Sequence, residues 1–175
     1  STRFALALNV YDRSRIFYTD EFYFKAASKT ANGIVMRLQT SQPGSYIEYA
    51  YTLKPGDYIV DANISFVSMQ NIISQTEDQL QLSWSMLYPG QEKYIEKEKE
   101  AATIYFKQIT SSPDYVSPTE ETQKDINEDD IKWVSFKQQF FNSSIIAKDA
   151  FSKAGSFIKL SQRPESTTTV KAAAT

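Results

Sequence analysis

The sequence predicts a mostly β protein, an antiparallel β-sandwich with little helix. Apolar residues alternate with polar ones along several short stretches, which is the pattern of a strand with one buried face. Turn residues recur about every 10 to 15 positions between these stretches, and few stretches show helical periodicity. Hydrophobic residues make up 41% of the 175 positions and aromatic residues 14%, so the chain can bury a core. Periodicity alone leaves the strand order open.

The clearest strands lie in the first half of the chain. Apolar and polar residues alternate along 34–39, along 46–53 and again along 58–66. Residues 54–57, between the last two stretches, read Lys-Pro-Gly-Asp, a sequence of turn formers. We therefore predict a β-hairpin at this position.

Four further strands are predicted in the second half of the chain, over residues 80–86, 104–106, 133–141 and 155–160. The run from Trp133 to Phe141 (WVSFKQQFF) has the densest cluster of aromatic residues. Its spacing favours a buried strand whose large side chains enter the core.

Polar stretches interrupt these strands. Residues 91–100 (QEKYIEKEKE) predict either a surface helix, with an i, i+3 pair between Glu96 and Lys99, or an exposed loop. Residues 111–130 contain two prolines and many acidic and hydroxyl side chains, so we predict a long loop whose carboxylates are only solvated. The tail, residues 166–175, either completes a strand or frays.

Length and charge set further limits. The length fits a single domain over residues 1–175, with 91–100 and 111–130 as loops or surface insertions. The formal net charge of -2 provides no excess positive charge for phosphates, so nucleic acid is not an expected partner. No stretch has the roughly 18 consecutive apolar residues of a membrane-spanning helix, and the N-terminus lacks the apolar stretch of a signal peptide. We therefore expect a segment of a longer protein.

Composition also excludes several kinds of catalytic site. The chain has no Cys and no His, which excludes thiol nucleophiles, His-dependent triads and zinc sites built on these ligands. Adjacent carboxylates occur at Asp20-Glu21, Glu120-Glu121 and Glu128-Asp129-Asp130, but neighbours on a strand point to opposite faces and those on a loop face water. A calcium loop over residues 125–130 would typically need a Gly, which that segment lacks. We expect no catalytic residue, no metal and no cofactor.

Three tyrosines on one predicted strand raise the alternative of a stacking platform for sugars or peptides. Tyr49 and Tyr51 share a face with the apolar residues, so we predict that they belong to the core. Tyr46 is then the one tyrosine of the three that is free to face solvent.

Five segments together resemble a known protein family. The run from Trp133 to Phe141 fits the pattern Trp-x-Ser/Ala-x-x-Gln-x-aromatic-Phe, and Ile145 and Ile146 follow it. Four earlier segments occur in the matching order, namely 20–24 (DEFYF), 58–69 (YIVDANISFVSM), 80–84 (LQLSW) and 103–107 (TIYFK). They resemble the large periplasmic domain of the YidC membrane protein insertases, especially those of Bacteroidetes-type bacteria. The resemblance extends from about residue 4 to residue 160.

This resemblance implies a β-supersandwich with some helix near the C-terminus, on the periplasmic face of the bacterial inner membrane. It implies a scaffold or interaction domain of a multi-pass insertase that assists insertion and folding of inner-membrane proteins, alone or with the Sec translocon. The implied partners are Sec subunits and nascent membrane proteins, reached through the full-length protein. The matched positions are Trp133, Gln138, Phe140 and Phe141, for which we expect a structural role. The family's insertion groove lies among transmembrane helices outside this chain, so no binding residue is carried over.

Two other classes of function compete with this hypothesis. A carbohydrate-binding or sugar-modifying β-sandwich is the main alternative, because related folds occur in carbohydrate enzymes and the chain is rich in Tyr and Trp. That function would require an open cleft lined by aromatic rings with carboxylates at its floor. A secreted adhesin-like domain is the third possibility, and it would have no partner in the inner membrane.

Overall fold

The computed structural model describes residues 2–11, 15–74, 80–89, 93–117, 122–162 and 167–174. The chain divides into two compact units. The sandwich unit comprises Ser1–Ala7 and Gln79–Thr175, and the meander unit comprises Leu8–Asp78. The single domain expected over residues 1–175 stays a prediction. Within the described ranges, no helix has the length and hydropathy needed to span a bilayer.

Strands dominate both units, as predicted. The strands are β1 (Arg3–Asn9), β2 (Ile16–Tyr18), β3 (Lys25–Lys29), β4 (Gly33–Gln39), β5 (Tyr46–Leu53), β6 (Val60–Val67), β7 (Gln81–Pro89), β8 (Thr103–Gln108), β9 (Asp114–Val116), β10 (Thr122–Asp125), β11 (Ile131–Lys137), β12 (Asn142–Phe151), β13 (Phe157–Gln162) and β14 (Thr167–Ala174). A 3-10 turn spans Thr19–Glu21 and helix α1 spans Ile95–Ala101.

The sandwich unit is built from two antiparallel sheets. Within this unit the larger sheet has the order β10-β13-β14-β7-β1, and β1 belongs to the unit as far as Ala7. The smaller sheet has the order β12-β11-β8-β9. Strands that are distant in sequence are therefore neighbours, which period-2 patterns cannot reveal.

The core of the sandwich unit lies between these two sheets. On the smaller sheet, Phe136 of β11 pairs with Ile104 of β8. The side chains of Phe136, Ile104 and Phe106 are each at most 1% exposed. The Trp84 ring from β7 lies 4.1 Å from the Phe136 ring, centroid to centroid. The buried cluster consists of Ala102, Ile104, Phe106, Val116, Ile126, Ile131, Val134, Phe136, Ile158 and Leu160. Two inner faces that share one core confirm the predicted β-sandwich.

The meander unit contains a four-stranded antiparallel sheet in which consecutive strands pair, in the order β3-β4-β5-β6. Its register puts the apolar residues of neighbouring strands in the same rows, for example Met36, Tyr49 and Ile64. Ile47 and Tyr49 are the buried residues of β5. The Tyr49 hydroxyl donates a hydrogen bond to Thr19 Oγ1 at 3.0 Å, and the Phe24 ring lies 4.8 Å away.

The predicted hairpin of the meander unit is confirmed. It joins β5 and β6 through residues 54–57, where Asp57 N–H donates to the Lys54 carbonyl at 3.1 Å. Gly56 has φ +78°, a conformation that glycine adopts at little cost. Regular pairing begins at Val60 rather than at Tyr58, whose side chain is fully exposed.

The predicted loop over residues 111–130 is wrong in part. This stretch contains the two short strands β9 and β10, while residues 118–121 lie outside the described part of the chain. Val116 and Ile126 are each 2% exposed, because they contribute to the core of the sandwich unit. Asp114 of β9 also forms an ion pair with Lys124 of β10, so its carboxylate is not merely solvated.

The structure decides between the alternatives for two other stretches. Helix α1 begins inside the stretch 91–100, at Ile95, and ends one residue beyond it, at Ala101. Lys99 Nζ is 3.0 Å from Glu96 Oε1, as the helix hypothesis predicted. In the tail, residues 167–174 form strand β14, so that part completes a strand. Helix α1 lies between β7 and β8, whereas the described residues near the C-terminus are strands and not the helix that the resemblance implied.

The aromatic run also differs from its prediction. Strand β11 ends at Lys137, and Gln138 N–H then donates to the Phe141 carbonyl at 2.7 Å, which closes a tight turn into β12. Phe136 enters the core, but Phe140 and Phe141 are 71% and 73% exposed. The expectation that the large side chains of this run enter the core is therefore correct for Phe136 and wrong for Trp133, which is half-buried outside the core cluster, and for Phe140 and Phe141.

Candidate functional site on the outer face of the smaller sheet

A groove crosses the outer face of the smaller sheet, opposite the core of the sandwich unit. Three adjacent strands form it, β8, β11 and β12. Their inward side chains fill the core, so the alternate positions must point outward. The lining residues are Tyr105, Trp133, Ser135, Lys137, Asn142, Ser144 and Ile146, around a volume of about 360 Å³.

The floor of the groove exists because small side chains are placed between large ones. Ser135 pairs with Tyr105 on one side and with Ser144 on the other. Ser144 Oγ donates a hydrogen bond to Ser135 Oγ at 2.8 Å, so the two hydroxyls hold each other in place. A row of larger side chains at these positions would fill the depression.

The walls of the groove are aromatic and aliphatic. Trp133 pairs with Ile146 across β11 and β12, and Ile146 is 58% exposed. The Tyr105 ring lies 5.5 Å from the ring of Tyr115 on β9, so the aromatic surface extends beyond the groove. The groove therefore combines apolar walls with the polar side chains of Ser135, Ser144, Asn142 and Lys137, a mixture that suits a peptide or protein surface.

Charge around the groove is sparse and positive. Lys137 is the one ionisable side chain that lines it, apart from the phenol of Tyr105. No lining residue is a carboxylate, so the groove lacks the acidic floor that the carbohydrate-enzyme hypothesis requires. Over the described ranges, no cluster of three or more acidic side chains is arranged to hold a metal ion.

The acidic positions noted in the sequence lie elsewhere. Asp129 Oδ2 accepts hydrogen bonds from Thr110 Oγ1 at 2.8 Å and from Thr110 N–H at 2.9 Å. These bonds, with one from Asp130 N–H, lower the pKa of the Asp129 carboxyl. Lys153 N–H donates to Asp130 Oδ1. Asp129 and Asp130 therefore connect their own segment to the segments around Thr110 and Lys153. The pair Glu120-Glu121 lies outside the described residues.

The four matched positions of the aromatic run are divided between two places. Trp133 is half-buried and lines the groove, whereas Gln138, Phe140 and Phe141 belong to the turn that follows β11. The structural role expected for all four stays a prediction. Their division shows that one sequence run contributes to both a groove and a protruding turn.

Sequence reasoning missed most of the groove. Ser135, Ile146 and Tyr105 enter the sequence analysis only within the segments that resemble the family, and Ser144 does not enter it at all, although Tyr105 alternates with two inward residues on a predicted strand. That alternation was the available signal for an outward aromatic side chain. The pairing that brings these residues together comes from strands whose order the sequence left open.

The tyrosines of β5 are placed as expected, with one exception. Tyr49 is 7% exposed and Tyr51 is half-buried on the same face. Tyr46 is also half-buried, because the Arg37 guanidinium lies 4.0 Å from its ring centroid. The prediction that Tyr46 freely faces solvent is therefore wrong, and these tyrosines form no open platform.

Comparison with known proteins gives consistent results. The family described as YidC periplasmic domain matches residues 5–175. Similar proteins include the membrane protein insertase YidC of Bacteroides fragilis, 31% identical over 85% of this chain and 24% of the relative. The corresponding proteins of Porphyromonas gingivalis (31% identical, 85% of this chain, 23% of the relative) and Phocaeicola vulgatus (31%, 78% and 22%) are similar as well.

This chain spans about a quarter of the length of those curated relatives. No solved structure matches it. Because the family match extends over nearly the whole chain, the chain belongs to the YidC periplasmic domain family.

Proposed function

We propose that this domain acts as a scaffold or interaction domain on the periplasmic side of the bacterial inner membrane, within a longer, multi-pass insertase. The single observation that carries the proposal is the family match over residues 5–175. The curated relatives are named membrane protein insertase YidC, and this chain corresponds to about a quarter of each. In this role the domain contributes contacts, not covalent chemistry.

The groove is the surface that we assign to these contacts. It is open, its walls carry Trp133, Tyr105 and Ile146, and its floor is made of two serines. Such a surface suits a segment of a translocon subunit or of a nascent membrane protein better than a small charged substrate. Attachment to the membrane keeps these partners at high effective concentration, so weak contacts are sufficient.

Site-specific photocrosslinking in the full-length protein tests this proposal. A photoreactive amino acid at Ser144, in the groove, should crosslink to a Sec subunit or to a nascent membrane protein in intact cells. The same group at Lys148 is the matched control, because Lys148 is also exposed and lies on β12 but does not line the groove. Equal crosslinking from both positions, or none from Ser144, would contradict the assignment of the groove.

A complementation experiment tests the wider role. Cells depleted of the parent protein are supplied with the full-length protein carrying Ser144→Trp, which fills the groove, or Lys148→Trp as the control. We expect reduced insertion of a reporter membrane protein only with Ser144→Trp. Normal insertion by a protein that lacks residues 5–175 altogether would show that the domain has no role in insertion.

A further inference from the structure

The turn between β11 and β12 exposes two consecutive phenylalanines. Phe140 is 71% exposed and Phe141 is 73% exposed. The turn is closed by the hydrogen bond from Gln138 N–H to the Phe141 carbonyl at 2.7 Å. Both strands that carry the turn belong to the smaller sheet, whose inner face is fully packed. The two rings are therefore held at the end of a rigid hairpin, outside the core.

The chemistry of this turn limits what it can contact. Two adjacent benzyl side chains provide apolar surface, and hydrophobic contacts do not require a particular orientation of the partner. A protruding turn can insert into a partner but cannot enclose one. Lys137 precedes the turn and is exposed, and Asn142 and Ser143 follow it without acidic charge. An apolar tip beside a single cation matches the lipid–water interface, where phosphates lie next to hydrocarbon.

We propose that this turn inserts Phe140 and Phe141 into the interfacial layer of a lipid bilayer, with Lys137 beside lipid phosphates. The proposal rests on the proposed function to the extent that the domain must lie next to a membrane. Interfacial amphipathic helices bury their apolar faces about 5–10 Å into the boundary between headgroups and acyl chains, and we expect a comparable depth for these rings. Contact of two rings with a bilayer is weak on its own. In the full-length protein, attachment to the membrane would keep the turn at high effective concentration near the bilayer, so a weak contact is sufficient.

The absence of Cys from the chain allows a selective test. Gln139→Cys places a unique thiol within the turn, directly before the two phenylalanines, at an exposed position, and both rings are kept. An environment-sensitive fluorophore on this thiol should shift to the blue as vesicles of phosphatidylcholine and phosphatidylglycerol are added. Ser41→Cys is the matched control, since it places the same label in the turn between β4 and β5, where residues 40–45 include no aromatic residue, Ile, Leu or Val and Ser41 is exposed.

Variants separate the two parts of the proposed contact. In the Gln139→Cys background, Phe140→Ser with Phe141→Ser should weaken vesicle binding at least about tenfold, because most of the inserted apolar area is removed. Lys137→Gln should weaken it about fivefold on anionic vesicles and leave binding to neutral vesicles unchanged. The exposed rings contribute little to folding, so thermal unfolding of all variants should match that of the parent.

Several results would overturn the proposal. No spectral shift at high lipid concentration, or the same shift from the Ser41→Cys label, would exclude insertion by this turn. Vesicle binding that survives the double Phe variant would also exclude it. If the turn instead crosslinks to a protein in cells and never to lipid, its partner is a protein. A negative vesicle result leaves the crosslinks from Ser144 intact, so failure here is distinguishable from failure of the proposed function.

Discussion

The sandwich unit and the meander unit bury their apolar residues in different ways. In the sandwich unit two sheets share a core of ten residues that are each at most 5% exposed. In the meander unit burial is concentrated near Ile47 and Tyr49, while Leu53 and Val60 at the other end of the same sheet are 44% and 52% exposed. Stability is thus expected to depend on many positions in the first unit and on few in the second.

The largest effect should come from the centre of the sandwich core. Phe136→Ala removes a fully buried ring that contacts Trp84, and it should lower the free energy of unfolding by about 3–5 kcal/mol. Urea denaturation measures this change. Phe141→Ala is the control, since that ring is 73% exposed and its loss should cost less than about 0.5 kcal/mol. Equal losses from the two variants would contradict the assigned core.

A smaller effect is expected from the meander unit, and it tests whether the chain is a single domain. Ile47→Ala should cost about 2–5 kcal/mol, whereas Val60→Ala on the exposed end of the sheet should cost less than about 0.5 kcal/mol. Both tryptophans of the chain, Trp84 and Trp133, lie in the sandwich unit. A single domain requires Ile47→Ala to shift the unfolding midpoint seen by tryptophan fluorescence. An unchanged fluorescence midpoint beside a shifted circular dichroism midpoint would show two independent domains.

Loss of one hydrogen bond in the meander unit should have a more modest effect. Tyr49→Phe leaves the ring in place but removes the donor to Thr19, so we expect a loss of about 1 kcal/mol in urea denaturation. Tyr58→Phe is the control, because the Tyr58 side chain is fully exposed. A Tyr49→Phe variant as stable as the parent would mean that this hydrogen bond contributes nothing net.

The same tyrosine predicts a pH dependence. Burial raises the pKa of the Tyr49 phenol above its ordinary value of 10.0. The neutral phenol is therefore favoured in the folded state, and its contribution is fully present below pH 10.0 and is lost as pH rises through the raised pKa. Alkaline unfolding of the parent and of Tyr49→Phe, followed by circular dichroism, should show the smaller decline for the variant. Identical declines would contradict the burial of this phenol.

The smallest effect should appear on the acid side, in the loops of the sandwich unit. Hydrogen bonds led by the Thr110 hydroxyl lower the pKa of Asp129 below its ordinary value of 3.8. Its contribution to stability is therefore present above pH 3.8 and is lost as pH falls toward the lowered pKa. Asp129→Asn should be slightly less stable than the parent at neutral pH, with the difference shrinking below pH 3.8. A difference that grows on acidification would contradict this assignment.

Local alternation predicted the positions of β4 to β8, β11 and β13, but it missed β1, β2, β3 and β12 and did not show which strands pair. The hairpin of β5 and β6 was found because its turn and both its strands lie within residues 46–67. The short strands β9 and β10 were missed because three or four residues are too few to show a period, and because Val116 in β9 and Ile126 directly after β10 are isolated buried apolar residues. Such strands are stabilised by tertiary packing, which propensity does not describe.

The candidate site was predictable only in part, for a related reason. Trp133 was singled out, but a groove needs the outward residues of three strands, and those strands pair in an order that alternation does not encode. The exposure of Phe140 and Phe141 was missed because the end of β11 depends on the turn that follows Lys137. The resemblance to a family identified the protein class without revealing either feature.

The position of strand β14 has a consequence for the order of folding. This strand, Thr167–Ala174, lies between β13 and β7, so the larger sheet is closed by the last described segment of the chain. The strands β3 to β6 can pair as soon as residues 25–67 have emerged during synthesis or export. The sheet of the sandwich unit must wait about a hundred residues longer, and pairings over such separations form slowly. Until then β7 has an unpaired edge, so we expect this domain to depend on chaperones before its final strand is available.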